Sequence, residues 1–308
     1  MITFIRYNLN LMRTNLLLLL ISTSLLIPTG LIAQKIDTKL DRKLRELTQN
    51  FAGDIGIYVK NLKTQEEVLI QADTIFPTAS IVKVPILVGI FNKIERGELN
   101  LDQKFIYRSS QQYGGSGVMQ FFKDSTETDL ATMVALMITY SDNVASIWNQ
   151  QLAGGGITIN LLMDQLGLPN TKVNSRTEGR NEIWEKYGWG QTTPKEMATL
   201  VELLYKGKVV SPKASENMYR HLGNIFYNDR SLSQIPANIK TASKTGSVDE
   251  ARGEVVLVNA PSGDYVFCVL TNNIKDQSWT KNNEAEDLTR KISHLLWNYF
   301  EPKRPYTP

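Results

Sequence analysis

Apolar positions 36, 40, 44 and 47 recur with the spacing of one helix face over residues 35–47. Residues 54–60 and 66–70 instead alternate with the period of two expected of strands, and Asn61-Leu62-Lys63-Thr64 between them suits a hairpin turn. Helical periodicity then dominates the middle of the chain. It covers 81–96 ending at Gly97, 128–139, 143–153 ending in Gly154-Gly155-Gly156, 158–166 ending at Gly167, and 194–206 ending at Gly207. Strand character returns at 254–259 and 265–271 around the turn Pro261-Ser262-Gly263-Asp264, and residues 284–300 close the chain as an amphipathic helix. Strands near both ends with helices between predict an α/β (α+β) fold. Its antiparallel sheet is built from residues 34–75 and 226–308 and flanked by terminal helices, with an all-helical domain of residues 76–225 inserted. A cleft between them is the expected ligand site.

The first residues read as an address. Arg6 and Arg13 precede an uncharged run over 16–33, broken by Pro28 and Gly30, and Ala33-Gln34 offers a small-residue cleavage site. Residues 1–33 are therefore expected to be a signal peptide, with the mature protein periplasmic or secreted; the alternative is an uncleaved anchor. No cysteine follows the run, so lipidation there is not expected.

Composition narrows the rest. With 308 residues, 42% hydrophobic and 21% charged, the chain has the make-up of an ordinary globule. Its net charge of +3, from 34 Lys and Arg against 31 Asp and Glu, falls to +1 once Arg6 and Arg13 are removed. A polyanionic partner such as nucleic acid is not expected. The single Cys268 excludes an intramolecular disulfide, and two histidines, His221 and His294, are too few for a usual zinc site, so neither metal nor cofactor is expected. A monomer is expected.

Three short motifs carry the chemistry. Ser80-Ile81-Val82-Lys83 lies where a loop runs into a helix, which puts Ser80 and Lys83 one turn apart on the same face. A lysine neutralised by burial or a neighbouring cation can take the proton of such a hydroxyl. The pattern is weak alone, because Ser278-Trp279-Thr280-Lys281 fits the same template. Ser141-Asp142-Asn143 falls between two helices, where a helix cap explains it structurally and a proton-shuttling Ser141 with a hydrogen-bonding Asn143 explains it chemically. Lys244-Thr245-Gly246-Ser247 sits on an extended segment. There a cation and hydroxyls could hold a carboxylate, and the bare Gly246 would let substrate lie along a strand edge. A given tripeptide is expected only about 0.04 times in a chain of this size, so Ser-Asp-Asn and Lys-Thr-Gly together in this order are not coincidence.

On these motifs the sequence resembles the class A serine β-lactamases and the related penicillin-binding proteins. The likeness covers about residues 38–300. It includes the motif spacings, Thr192-Thr193-Pro194 with Met197-Ala198, and the pair Arg252-Gly253 before a strand. The resemblance implies acylation of Ser80 by a β-lactam carbonyl, with the backbone N–H groups of Ser80 and Ser247 as oxyanion donors. Lys83 would activate Ser80, Ser141 would relay a proton to the leaving nitrogen, and Asn143 would support the site. Lys244, Thr245 and Ser247 would bind the substrate carboxylate, helped by Arg252. A Ser-His-Asp hydrolase is disfavoured, since neither histidine lies in a motif and no G-x-S-x-G elbow is present.

Deacylation is where the pattern departs from the family. The family's omega loop reads like E-x-x-L-N, whereas residues 176–182 keep an Arg-x-Glu start, Arg176-Thr177-Glu178, without the Leu-Asn. Glu178 is the candidate base that orients the hydrolytic water, and Glu182 is the alternative; Arg176 and Glu178 could instead merely staple a surface loop. Without a carboxylate near the ester the protein would acylate and stall, as a D-alanyl-D-alanine peptidase or penicillin-binding protein does with β-lactams. A membrane-retained β-lactam receptor is a third, non-enzymatic reading. Tyr113, in the loop Tyr113-Gly114-Gly115-Ser116-Gly117, could stack on substrate, and Trp184, Tyr187 and Trp189 read as omega-loop packing.

Overall fold

The computed structural model describes residues 35–308, so the expected signal peptide lies outside the described residues. No helix among the described residues is long and apolar enough to cross a membrane.

The chain opens with β1 (Lys35–Ile36), helix α1 (Thr38–Thr48) capped by the Asp37 side chain, and the hairpin β2 (Asp54–Asn61) and β3 (Glu66–Ile70). The two-residue strand β4 (Phe76–Pro77) and a 3₁₀ turn over Ala79–Val82 lead into α2 (Lys83–Glu95). Next come β5 (Lys104–Ile106), β6 (Glu127–Asp129), α3 (Leu130–Thr139), α4 (Asn143–Leu152) and α5 (Gly155–Gln165). They are followed by β7 (Lys172–Val173), α6 (Asn181–Tyr187), β8 (Gly190–Thr192), α7 (Pro194–Tyr205) and α8 (Pro212–Leu222). Strands β9 (Thr241–Val248), β10 (Ala251–Val258) and β11 (Tyr265–Asn272) and helix α9 (Glu284–Phe300) complete it.

Strands from both ends interleave in one six-stranded sheet of order β1-β3-β2-β11-β10-β9. It is antiparallel, as the sequence predicts, except that β1 joins β3 in parallel. Helices α1 and α9 cover one face, where Leu40, Leu44, Ile292, Leu296 and Trp297 pack on Ile57, Val59, Val256 and Phe267. On the other face Met197, Ala198 and Val201 of α7 join Tyr58, Val255, Leu257, Val266 and Cys268 in a larger core that runs on into α2–α5. Strand β10 is buried along its whole length. Its apolar half, Val255–Val258, is what a strand covered on both faces requires, while Arg252 and Glu254 are buried charges within it. β9 is the outer strand of the sheet, so one row of its backbone groups remains free of strand partners.

Two helices, α6 and α8, and several short strands go beyond the elements expected from the sequence. The seven-residue α6 carries Trp184 and Tyr187 with no apolar stripe to mark it. α8 begins with a Ser211 cap and Pro212 and buries Ala214, Met218 and Leu222, a detectable pattern. Gly154 ends α4 in a left-handed conformation (φ 94°), while Gly155 and Gly156 already belong to α5.

Candidate active site

Ser80 sits in the 3₁₀ turn immediately after Ala79, a non-glycine residue held at φ 44°. The turn is pinned from below by two glycines. A Cβ on Gly246 would lie 2.4 Å from the Thr78 carbonyl oxygen and 3.1 Å from the Ile81 nitrogen, and one on Gly253 would lie 3.0 Å from Ile81 Cδ1. Gly246 of β9 and Gly253 of β10 are register partners, so Ile81 beds on a bare patch of the sheet. Gly246 is thus bare for the sake of the turn that carries Ser80, and Gly253 explains the Arg252-Gly253 pair. The weak second match, Ser278 to Lys281, lies on a loop with Lys281 exposed.

Lys83 opens α2 and is 1% exposed. Its Nζ is 2.9 Å from Ser80 Oγ, 3.0 Å from Ser141 Oγ, 2.5 Å from the Ser141 carbonyl oxygen and 2.9 Å from Asn143 Oδ1. Burial, and then the charge of Lys244, push its pKa well below that of an ordinary amine, against a smaller opposing pull from Asp142. Two of its four neighbours, the Ser141 carbonyl and Asn143 Oδ1, can only accept hydrogen bonds. A neutral amine satisfies both with its two N–H groups and keeps its lone pair to accept a hydroxyl proton. That is the protonation state a base needs.

Ser141 is held at φ 54°. The reason is Asp142, fully buried, whose Oδ1 caps α4 by accepting from Ala145 N–H at 2.9 Å. Its Oδ2 accepts from the backbone N–H groups of Val118 and Met119 at 2.7 and 2.8 Å. One carboxylate therefore fixes the turn between α3 and α4 and the loop opposite it. Asn143 Nδ2 donates to the Gly114 carbonyl in the same loop at 3.1 Å.

Lys244 Nζ reaches Ser141 Oγ at 3.1 Å, so the Ser141 hydroxyl stands between two buried lysines. Burial and then the charge of Arg230 lower the Lys244 pKa to about 7, with Glu254 pulling the other way. Thr245 is 6% exposed. The guanidinium at Ser247 is one the sequence did not suggest: Arg230 Nη2 donates to Ser247 Oγ at 2.7 Å and to Glu286 Oε1 at 2.5 Å. Arg252 Nη2 instead donates to the Ser278 carbonyl at 3.1 Å. Its guanidinium stacks 4.5 Å from the Trp279 ring centre, with Nε 3.4 Å from Glu286 Oε1. Arg230 carried no signal because it lies outside every motif and reaches Ser247 only through the fold.

Ser80, Lys83, Ser141, Asn143 and Lys244 thus form one connected hydrogen-bonded group, beside which Thr245, Gly246 and Ser247 run along β9. Glu178 and Glu182 do not join it. Both are exposed, and among the described residues neither has a hydrogen bond to Ser80, Lys83, Ser141 or Asn143. The loop is stapled by Arg180, which donates to Asn174 Oδ1 at 2.8 Å and to Gln191 Oε1 at 2.9 Å. Arg176 lies instead over Tyr113 and Trp189, 5.3 and 5.9 Å from their ring centres. Trp184 is exposed and does not share that packing. Among the described residues no cluster of three or more His, Cys, Asp or Glu could hold a metal.

A model of the beta-lactamase enzyme family matches residues 39–300. The chain is 22% identical over 258 residues to beta-lactamase VEB-1 of Pseudomonas aeruginosa, covering 80% of this chain and 85% of that one. The structure of PBP-A superposes with a TM-score of 0.78 at 24% identity, covering 87% of this chain and 98% of that one. A mutant of PBP-A, solved as an acyl-enzyme complex with penicillin G, does so with a TM-score of 0.77 at 24% identity and the same coverage.

Proposed function

The chain belongs to the beta-lactamase enzyme family, a family of serine hydrolases, and from that premise we propose that it opens β-lactams through an acyl-enzyme on Ser80. Lys83 Nζ takes the proton of Ser80 Oγ, the oxygen attacks the lactam carbonyl, and the proton returns through Ser141 Oγ to the leaving nitrogen as the C–N bond breaks. The backbone N–H groups of Ser80 and Ser247 stabilise the oxyanion, each worth about 3 kcal/mol. Lys244, Thr245 and Ser247 hold the substrate carboxylate, and Arg230 supplies the second cation there. No cofactor is used. The observation that carries this reading is the buried Lys83 amine within hydrogen-bond reach of both Ser80 Oγ and Ser141 Oγ. The acyl-enzyme that the PBP-A mutant forms with penicillin G on the same fold supports it. Export after removal of residues 1–33, and the division into a sheet domain (34–75 and 226–308) and a helical domain (76–225), belong to the same reading.

Hydrolysis of the ester needs a water activated by Glu178, or by Glu182. A second reading has one observation in its favour: both carboxylates are exposed and unconnected to the acylation group. In that case the protein is acylated and turns β-lactams over slowly, in the manner of a D-alanyl-D-alanine peptidase or penicillin-binding protein. Nitrocefin decides between them. Wild type is expected to show multiple turnovers, Ser80→Ala none, and Glu178→Gln one stoichiometric burst followed by a stall. Steady turnover by Glu178→Gln with a stall in Glu182→Gln would move the base to Glu182, and a wild type that only bursts would establish the slow reading.

A further inference from the structure

Among the described residues Arg176 is a cation without an anionic partner, and it lies against Tyr113 in the loop that meets Asn143. Its backbone is held at φ 51°, a conformation that costs a non-glycine residue energy and persists only where the surroundings impose it. Among the described residues its guanidinium forms no ion pair, and its one side-chain hydrogen bond runs from Nη1 to Ser175 Oγ at 3.1 Å. The neighbouring Glu178 does not pair with it, and the loop is stapled by Arg180 instead. What holds Arg176 is aromatic: Tyr113 and Trp189 meet edge to face at 5.4 Å, and the guanidinium lies over both rings. The rings stand at 87° to each other, so the planar cation stacks on at most one of them, and apart from the bond to Ser175 Oγ its N–H groups have no acceptor among the described residues and remain available to a carboxylate.

The two rings tie this cation to the reacting centre. Tyr113 precedes Gly114, whose carbonyl accepts from Asn143 Nδ2. Trp189 lines a small cavity of about 130 Å³ with Ala79, the residue before Ser80, and with Val248 and Ala251 of the β9–β10 turn. The leaving half of a substrate is already provided for by Lys244, Thr245, Ser247 and Arg230, which leaves the Arg176 side of the cleft to the acyl half.

We propose that Arg176, held on Tyr113 and Trp189, selects substrates that carry a carboxylate on the acyl side chain, the half that stays on Ser80 once the amide has opened. This rests on the reading of Ser80 as nucleophile and adds to it a charge preference set outside the three motifs. Penicillin G and its α-carboxy analogue share one bicyclic nucleus and differ only by that carboxylate. Rapid-quench mass spectrometry gives the acylation rate constant of each with wild type, Arg176→Ala and Arg176→Lys. The ratio of α-carboxy to parent rate is expected to fall about tenfold in Arg176→Ala and by less in Arg176→Lys, which keeps the charge and loses the bidentate fork. A ratio that stays the same in all three proteins overturns the role of Arg176 while leaving Ser80 as nucleophile. Failure of both penicillins to acylate wild type at Ser80 overturns the reading of the site itself, and this inference with it.

Discussion

Two buried lysines share one serine hydroxyl, and their protonation states have opposite uses. In the proposed acylation Lys83 must be neutral to accept the Ser80 proton, so acylation is expected to be lost as pH falls below its lowered pKa. In the same proposal Lys244 must be charged to hold a carboxylate, and with a pKa of about 7 it loses that charge as pH rises. The pair titrates jointly, and acylation efficiency is expected to follow a bell whose alkaline limb begins near Lys244's value. Binding an anionic substrate to the neutral form of Lys244 must then take up a proton. Lys244→Arg, whose guanidinium stays charged throughout, is expected to abolish the alkaline limb and keep the acid one. A pH profile of acylation for the two proteins checks this; an alkaline limb that survives in Lys244→Arg assigns it to another group.

The site depends on how elements meet, above all on β9 and β10 pressing their glycines against the turn that carries Ser80. Gly246→Ala would drive a Cβ to 2.4 Å from the Thr78 carbonyl, and backbone does not yield as a flexible side chain can. It is expected to destabilise the fold by about 1–3 kcal/mol and to slow acylation by at least about a hundredfold through displacement of Ser80. Thermal unfolding and acylation rate, measured together, separate the two effects; a wild-type acylation rate in this variant would show that the contact does not position the nucleophile. Long elements were legible in the sequence because their burial is periodic: residues 284–300 read as a helix whose bounds the structure reproduces in α9. The seven-residue α6 and the paired strands β4, β7 and β8 were not, since elements that short are made by tertiary contact more than by their own pattern. The three motifs were legible for a different reason, because their chemistry needs particular residue types. Arg230 and the Arg176 stack were illegible, since each acquires meaning only from residues 17 and 63 positions or so away in the chain.

For the whole molecule, the sheet gathers strands from both ends of the sequence, so β9 with Lys244 and Gly246 comes to rest against a turn and a loop that lie 103 to 168 positions earlier. The helices α2 and α4 bring up Lys83 and the Asp142 cap that adjoins Ser141 from the other side. Left-handed conformations at Ala79, Ser141 and Arg176 mark three places where this assembly imposes strain on non-glycine residues bordering the cleft. The proposed chemistry requires residues separated by that much chain to act as one acylating unit. Its most direct test is rapid-quench intact-mass analysis of the protein mixed with penicillin G, followed by peptide mapping. One adduct of the mass of the whole penicillin, confined to the peptide bearing Ser80 and lost in Ser80→Ala, is the expected result. No adduct together with no consumption of penicillin, or an adduct that persists in Ser80→Ala, would contradict it.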